Sequence, residues 1–427
     1  MAFDKTAGMQ DIRAAMDAWW QANAELVFDP ENPKVRLHHP TFGPDEIMAF
    51  TAQMLTTHVT MGPKVEAFED RFCGALGYKI GVSNNSGSSA NLLMLAALTT
   101  PIYENRLLPG DEVILPALTW STSLWPVIQR GLKPVFVDSD PETMNMRPDA
   151  IESAIGPRTR AVMSVPVYGN PCDMDAIEDI CKRRGLIHIE DCCESMGATY
   201  KGRSVGSFGL VSSFSFYFSH HITTLEGGIC LTEDEDLADV MRIVRAHGWI
   251  RGVKNMDKWA KDGPNYDKRF TFVGEGYNLR LTEPQAAMGL VQIDKLQYFV
   301  EARRAHAEFM KDRMTNYSDV LMPQRETEGA AHSWFGFPIL VSEKASFSRD
   351  EICTFLSARG VETRPIIAGN LVRHPGTNLY DYREGGSLEG ADAVMDCGFA
   401  LPCHQSLTRE ALEYMAAQVD AFMAGER

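Results

Sequence analysis

Two adjacent histidines, His220 and His221, stand between Ser215-Phe-Tyr-Phe-Ser and Ile-Thr-Thr-Leu-Glu226-Gly227-Gly228. An imidazole titrates near neutrality, so it can take up a proton and give it back in one reaction cycle. Upstream, Ile187-His-Ile-Glu190-Asp191 ends an apolar run on an aspartate. A carboxylate at the end of a buried strand is costly unless a cation or strong donors meet it. Asn85-Ser86-Gly87-Ser88-Ser89 falls between a strand-like and a helix-like stretch. A Gly-Ser pair opening a helix gathers free N–H groups and the positive end of the helix dipole at one point, which suits a phosphate. The same residues also read as an ordinary serine N-cap.

These residues need a frame to hold them together. The chain has 427 residues, 44% of them hydrophobic and 23% charged. That length predicts two or three domains. Short β-branched runs alternate with helix-like stretches from about residue 78 to 232, the pattern of a mostly parallel sheet covered by helices. Expected strands are 79–83, 112–115, 134–138, 161–165, 186–190, 211–215 and 228–232. Expected helices between them are 89–98, 122–129, 148–155 and 173–184. In such sheets ligands sit beyond the carboxyl ends of the strands. Residues 251–268 read as a long surface loop and 281–304 as one helix. A smaller α/β unit follows, with strands at 335–341 and 361–365 and helices at 348–359 and 408–424. The reading gives an N-terminal extension (1–43) with a helix at 9–23, a large ligand-binding domain (44–295) and a small C-terminal domain (296–427).

Composition narrows the function. A net charge of −16 with no basic run argues against nucleic acid as a partner. No apolar run has the ~20 residues needed to span a bilayer. The N-terminus lacks the basic and apolar regions of a signal peptide, so the expected location is cytoplasmic. The nine cysteines show no two-residue metal-ligand spacing and read as reduced, mostly buried thiols. Two adjacent histidines without a third ligand do not predict a metal site.

Taken together, the segments over residues 44–423 resemble the sugar aminotransferases that use pyridoxal phosphate, proteins of the aspartate-aminotransferase (fold type I) architecture. In that family a lysine stands five positions after the serine and eight before the second glycine of the Gly-Gly pair. Here both counts arrive at His220. An imidazole cannot bond covalently to the cofactor as a lysine amine does. The chain therefore resembles the histidine-bearing branch, the nucleotide-sugar 3-dehydratases, most nearly those acting on GDP-4-keto-6-deoxymannose in deoxysugar and lipopolysaccharide O-antigen synthesis.

The resemblance implies roles for individual residues. Gly87, Ser88 and Ser215 would hold the phosphate of pyridoxal or pyridoxamine 5′-phosphate. Trp120 would stack on its ring, Asp191 would pair with the ring nitrogen, and His220 would be the acid and base. Glu194, where most relatives carry Gln, would orient the cofactor hydroxyl or His220. Asn278, in Gly276-Tyr277-Asn278-Leu-Arg280, would reach the phosphate of a neighbouring subunit, which implies a homodimer with shared sites. Arg364 is a candidate for the carboxylate of an L-glutamate amino donor or for the substrate diphosphate. His221, Arg245 and Arg251 are further candidate substrate contacts. A related enzyme carries an iron–sulfur cluster on cysteines after the Gly-Gly segment. Residues 231–352 contain none, so no cluster is expected. The competing readings are a deaminase, oxidase or aminotransferase acting on a nucleotide sugar, and a non-catalytic sugar-nucleotide regulator.

Overall fold

The computed structural model describes residues 5–23, 28–260 and 267–426. Its centre is an eight-stranded sheet in the order Ile80–Asn84, Gly228–Thr232, Val211–Ser215, Ile187–Asp191, Thr159–Ser164, Glu112–Pro116, Lys133–Val137 and Arg383–Glu384. Gly228–Thr232 runs antiparallel to both neighbours, and the remaining pairs are parallel. The expected strands lie within two residues of these. Four of them, 80–84, 112–116, 211–215 and 228–232, are buried at every position, as strands covered on both faces must be.

One face of the sheet carries Gly87–Thr99, Ser121–Gln129 and Glu235–Arg245. In the first of these, Leu93 to Leu98 are all essentially inaccessible, so this helix is central rather than amphipathic. The other face is covered by Pro63–Leu76, Met174–Arg184 and Glu283–Ile293. A four-stranded sheet, Leu321–Pro323, Phe337–Val341, Gly398–Leu401 and Arg364–Pro365, packs with Arg349–Ala358 and Arg409–Met423 around its own apolar cluster.

Three expectations need correction. The helix expected over 281–304 is two, Glu283–Ile293 and Leu296–Met314. The break falls at Asp294 and Lys295, which pair with Arg71 and Glu46, and no Gly or Pro marks it. Of 361–365 only Arg364–Pro365 forms a strand, because Val361 bridges to Val35 instead. The stretch expected as a long loop contains a helical turn at Ile250–Gly252 and a short helix, Met256–Trp259. Residues 261–266 lie outside the described residues.

The N-terminal helix spans Lys5–Asn23. Further on, the chain is strapped to the C-terminal unit. Val35 donates to Gly360 O (2.8 Å) and accepts from Glu362 N (2.9 Å), with its side chain buried in that unit's apolar cluster.

Candidate active site

The side chains that can do chemistry converge at the carboxyl ends of 80–84, 187–191 and 211–215. At the first, Ser86 caps the Gly87–Thr99 helix by accepting from Ser89 N at 3.0 Å. The preceding two N–H groups, of Gly87 and Ser88, have no partner within the helix. A Cβ on Gly87 would lie 2.5 Å from Ser215 Cβ and 2.8 Å from its Oγ. Glycine at 87 is therefore what lets the helix start meet the Ser215 hydroxyl. Gly228 has the same origin: a Cβ there would lie 2.5 Å from Ser86 O. Glycine at 228 is thus a packing requirement of the turn that presents these N–H groups. The result is a cradle of backbone donors and a hydroxyl, open to solvent at Ser88, and its chemistry fits a phosphate.

Asp191 ends its strand 5% exposed. Its Oδ2 accepts from Asn91 Nδ2 and Ser123 Oγ, both at 2.7 Å, and Oδ1 accepts from Cys193 N at 3.3 Å. Ser213 Oγ in turn donates to Asn91 Oδ1 at 2.6 Å. Neutral donors alone surround the carboxylate, so a cationic ring nitrogen would complete the pairing. Asn91, Ser123 and Ser213 were not singled out in the sequence. Asn91 recurs one helical turn past Gly87-Ser88, and that spacing could have drawn attention to it. The preceding Glu190 points to the other side of the strand. There it accepts from the N–H groups of Gly206, Phe208 and Gly209 at 2.6–2.8 Å, and burial raises it to about 7. Of the adjacent acids, Glu190 closes a loop and Asp191 faces the site.

Trp120 precedes the helix Ser121–Gln129 and is 55% exposed. Thr119 and Ser123, linked through their hydroxyls at 2.9 Å, tie its loop to Asp191. The indole is thus held near the site with a face uncovered, not packed in the core.

His220 sits in the turn after 211–215. Its Nδ1 lies 3.4 Å from Ser215 O, and its ring meets the edge of Phe335 at 5.1 Å between centroids. A carbonyl oxygen only accepts, so Nδ1 carries the proton and Nε2 keeps its lone pair. Burial lowers this imidazole to about 4, and the buried Arg303 adds to the effect. His220 is accordingly a neutral base at neutral pH. Glu194 accepts from Tyr168 N at 3.0 Å. Burial raises its carboxyl to about 7, and Asp191 pushes in the same direction. Tyr168, also missed in the sequence, adopts a left-handed φ of 57°, a strained conformation for a non-glycine residue. Its ring is accommodated because position 336 is glycine: a Cβ there would lie 2.6 Å from Tyr168 Cε1.

The other candidates separate. Arg364 is exposed, has no ion-pair partner among the described residues, and lines a small cavity with Tyr168, Ser219 and Phe335. Asn278 is exposed and engages Arg280 at 3.0 Å. Arg251 is exposed and lies over Trp249. Two expectations are overturned. His221 is fully buried and donates from Nε2 to Ser333 O at 2.9 Å, so it offers nothing to a substrate. Arg245 is 3% exposed and is consumed by Glu69 Oε1 (2.8 Å) and Ser83 O (2.7 Å). It is a structural ion pair. Among the described residues no cluster suited to a metal ion occurs, and no helix is long and apolar enough to cross a membrane.

Known proteins are similar to this chain in sequence and fold. A GDP-4-keto-6-deoxy-D-mannose 3-dehydratase of Escherichia coli O55:H7 is 37% identical over 361 residues, 83% of this chain and 92% of its own. A dTDP-4-dehydro-2,6-dideoxy-D-glucose 3-dehydratase of Saccharopolyspora spinosa is 37% identical over 391 residues, 89% and 84%. The crystal structure of a GDP-4-keto-6-deoxymannose 3-dehydratase with a trapped PLP-glutamate geminal diamine superposes with a TM-score of 0.82 at 33% identity, covering 90% of this chain and 99% of that one. The fold is the fold-type-I one expected from the sequence, and pyridoxal phosphate is the cofactor of this enzyme class. The profile of the DegT/DnrJ/EryC1/StrS aminotransferase family matches residues 40–420, and the chain belongs to that family.

Proposed function

We propose that the protein is a 3-dehydratase of a nucleotide-linked 4-keto-6-deoxyhexose, GDP-4-keto-6-deoxymannose in the first instance, with L-glutamate as amino donor. The observation that carries this reading is His220: a neutral imidazole, with Nε2 uncommitted among the described residues, at the position where the family's aminotransferases have their lysine. The nucleotide sugars and the glutamate adduct of the related proteins support the substrate and donor.

In this reading Gly87 N–H, Ser88 N–H and the Ser215 hydroxyl hold the cofactor phosphate. Trp120 covers the ring and Asp191 pairs with its nitrogen. When bound, the aminated cofactor supplies an amine for the sugar ketone and a ring that withdraws electrons. Nε2 of His220, with its lone pair available, would take up a proton as acid–base group and return one to the departing C3 oxygen. Glu194, whose carboxyl is raised to about 7 and so is partly protonated near neutrality, would donate toward the cofactor hydroxyl. The absence of a lysine leaves the aminated form uncaptured by the protein. Glutamate leaves as 2-oxoglutarate, its nitrogen is finally released as ammonia, and its reducing equivalents replace the C3 hydroxyl with hydrogen. We place the cofactor domain at 44–295 and the small domain at 296–427. The working unit is a cytoplasmic homodimer in which Asn278 completes the partner's phosphate site.

The test is an absorbance titration with pyridoxal phosphate and then glutamate, beside His220→Lys. The aldehyde band should give way to the shorter-wavelength amine band with release of 2-oxoglutarate. Borohydride should fail to fix the cofactor on the native chain and should fix it on the lysine variant. Covalent fixation on the native chain would sink the reading. Product analysis with the nucleotide sugar distinguishes C3 deoxygenation from amination.

A further inference from the structure

The strap that precedes residue 44 has no part in the function proposed so far, yet it lines a small cavity beside the candidate site. Leu37 and His38 line the small cavity with Tyr168, Ser219, Phe335 and Arg364. Ser219 is the neighbour of His220, and the Tyr168 N–H holds Glu194. The position of His38 is built in. On its N-terminal side Val35 is fixed by its two backbone bonds to Gly360 and Glu362, and Leu37 N donates to Glu362 Oε2 at 2.9 Å. On its own side the imidazole packs edge-on against Phe218, with centroids 4.7 Å apart.

Two charged or titratable side chains of this cavity wall, His38 and Arg364, are uncommitted. Arg364 forms no ion pair, and His38 makes no hydrogen bond from either ring nitrogen, among the described residues. Glu362, the acid next to both, is engaged by Leu37 N. A guanidinium and an imidazole that share a cavity, and whose own donors are uncommitted among the described residues, suit an oxyanion. We infer that His38 is a substrate-contacting residue that, together with Arg364, receives an oxyanion of the substrates: a carboxylate of the amino donor or the diphosphate of the nucleotide sugar. The inference rests on the function proposed above and extends it to a residue of the N-terminal segment.

The charges that face His38 fit this role. Burial and Arg364 lower its pKa, with Arg36 and His39 acting in the same direction and Glu362 opposing. Burial and the neighbouring cations thus disfavour its charged form, whereas a bound oxyanion favours it.

The experiment compares the native chain with His38→Ala and His38→Gln, the second keeping a donor in place should the first fold poorly. The readouts are the half-saturating L-glutamate concentration in the single-turnover spectral change, kcat and KM for GDP-4-keto-6-deoxymannose, and calorimetric binding of glutarate, an unreactive dicarboxylate. Loss of a hydrogen bond to a charged group is expected to weaken the affected binding step roughly tenfold or more. The limiting rate of the spectral change should stay within about a factor of two, and the glutamine variant should recover part of the loss. Weaker glutamate and glutarate binding assigns the donor carboxylate. A raised KM for the nucleotide sugar with unchanged glutamate binding assigns the diphosphate. Unchanged values in all arms overturn the inference. A native chain that fails to convert the cofactor with glutamate overturns the underlying function instead.

Discussion

Replacing Glu194 by Gln should make the cofactor-free protein more stable, and only above a certain pH. The Glu194 carboxyl is largely covered, accepts one backbone N–H at 3.0 Å, and shares the site with Asp191. Its midpoint moves from 4.5 to about 7, with burial as the main cause. A carboxyl with a raised midpoint in the folded state binds more protons folded than unfolded. Stability therefore falls as pH rises through the window from 4.5 to about 7 and is level on either side. The full displacement corresponds to about 3 kcal/mol at alkaline pH. The residual solvent contact of this side chain trims the expectation to ~1–3 kcal/mol. Glutamine keeps the acceptor for Tyr168 N and carries no charge. The stability of Glu194→Gln relative to the native chain should thus be near zero below pH ~5 and grow to that value above pH ~7. Urea midpoints of the apo-proteins at three pH values measure it. A difference that does not change with pH, or one that favours the native chain at high pH, would refute the argument.

Further outcomes follow from the geometry. His220→Asn should lower turnover by about 10²–10⁴-fold, the usual loss for a positioned acid–base group, while pyridoxal phosphate still binds by absorbance. For the native enzyme the acidic limb of single-turnover proton transfer should fall as His220 protonates, near its depressed midpoint of about 4 rather than near 6.5. Gly87→Ala should cost about 1–3 kcal/mol by overpacking against Ser215 and should weaken cofactor binding, read as a smaller rise in melting temperature on adding pyridoxal phosphate. Glu69→Ala should destabilise by about 3–5 kcal/mol by stranding the Arg245 charge, with KM for the nucleotide sugar unchanged in the folded fraction. A large rise in KM would return Arg245 to the substrate site.

The large sheet was legible because its strands are short apolar runs bounded by turn residues, and burial on both faces leaves little choice of register. Where tertiary contacts decide, the sequence was silent. The break at Asp294-Lys295 depends on Arg71 and Glu46, more than 200 positions away in the chain. The expected strand over 361–365 gives Val361 to a backbone bridge with Val35. Neither partner can be found from local periodicity.

The site divides along the same line. His220, Asp191, Gly87 and Ser215 were readable because fixed spacings tie each to a strand end or a turn. What surrounds them was not, since long-range neighbours set it. Arg303 is the plainest case. Its guanidinium is 1% exposed and no carboxylate pairs with it among the described residues. Nη1 donates to Trp334 O at 3.1 Å and Phe335 O at 2.9 Å, and Phe335 is the ring against which His220 rests. Burial lowers even this group, to about 10, and its charge depresses His220, His221 and His404. An uncompensated buried cation is a large cost. Here it clamps the segment that positions His220 and also disfavours protonation of that imidazole. Burial does most to keep the His220 imidazole neutral, and the Arg303 charge adds to that effect.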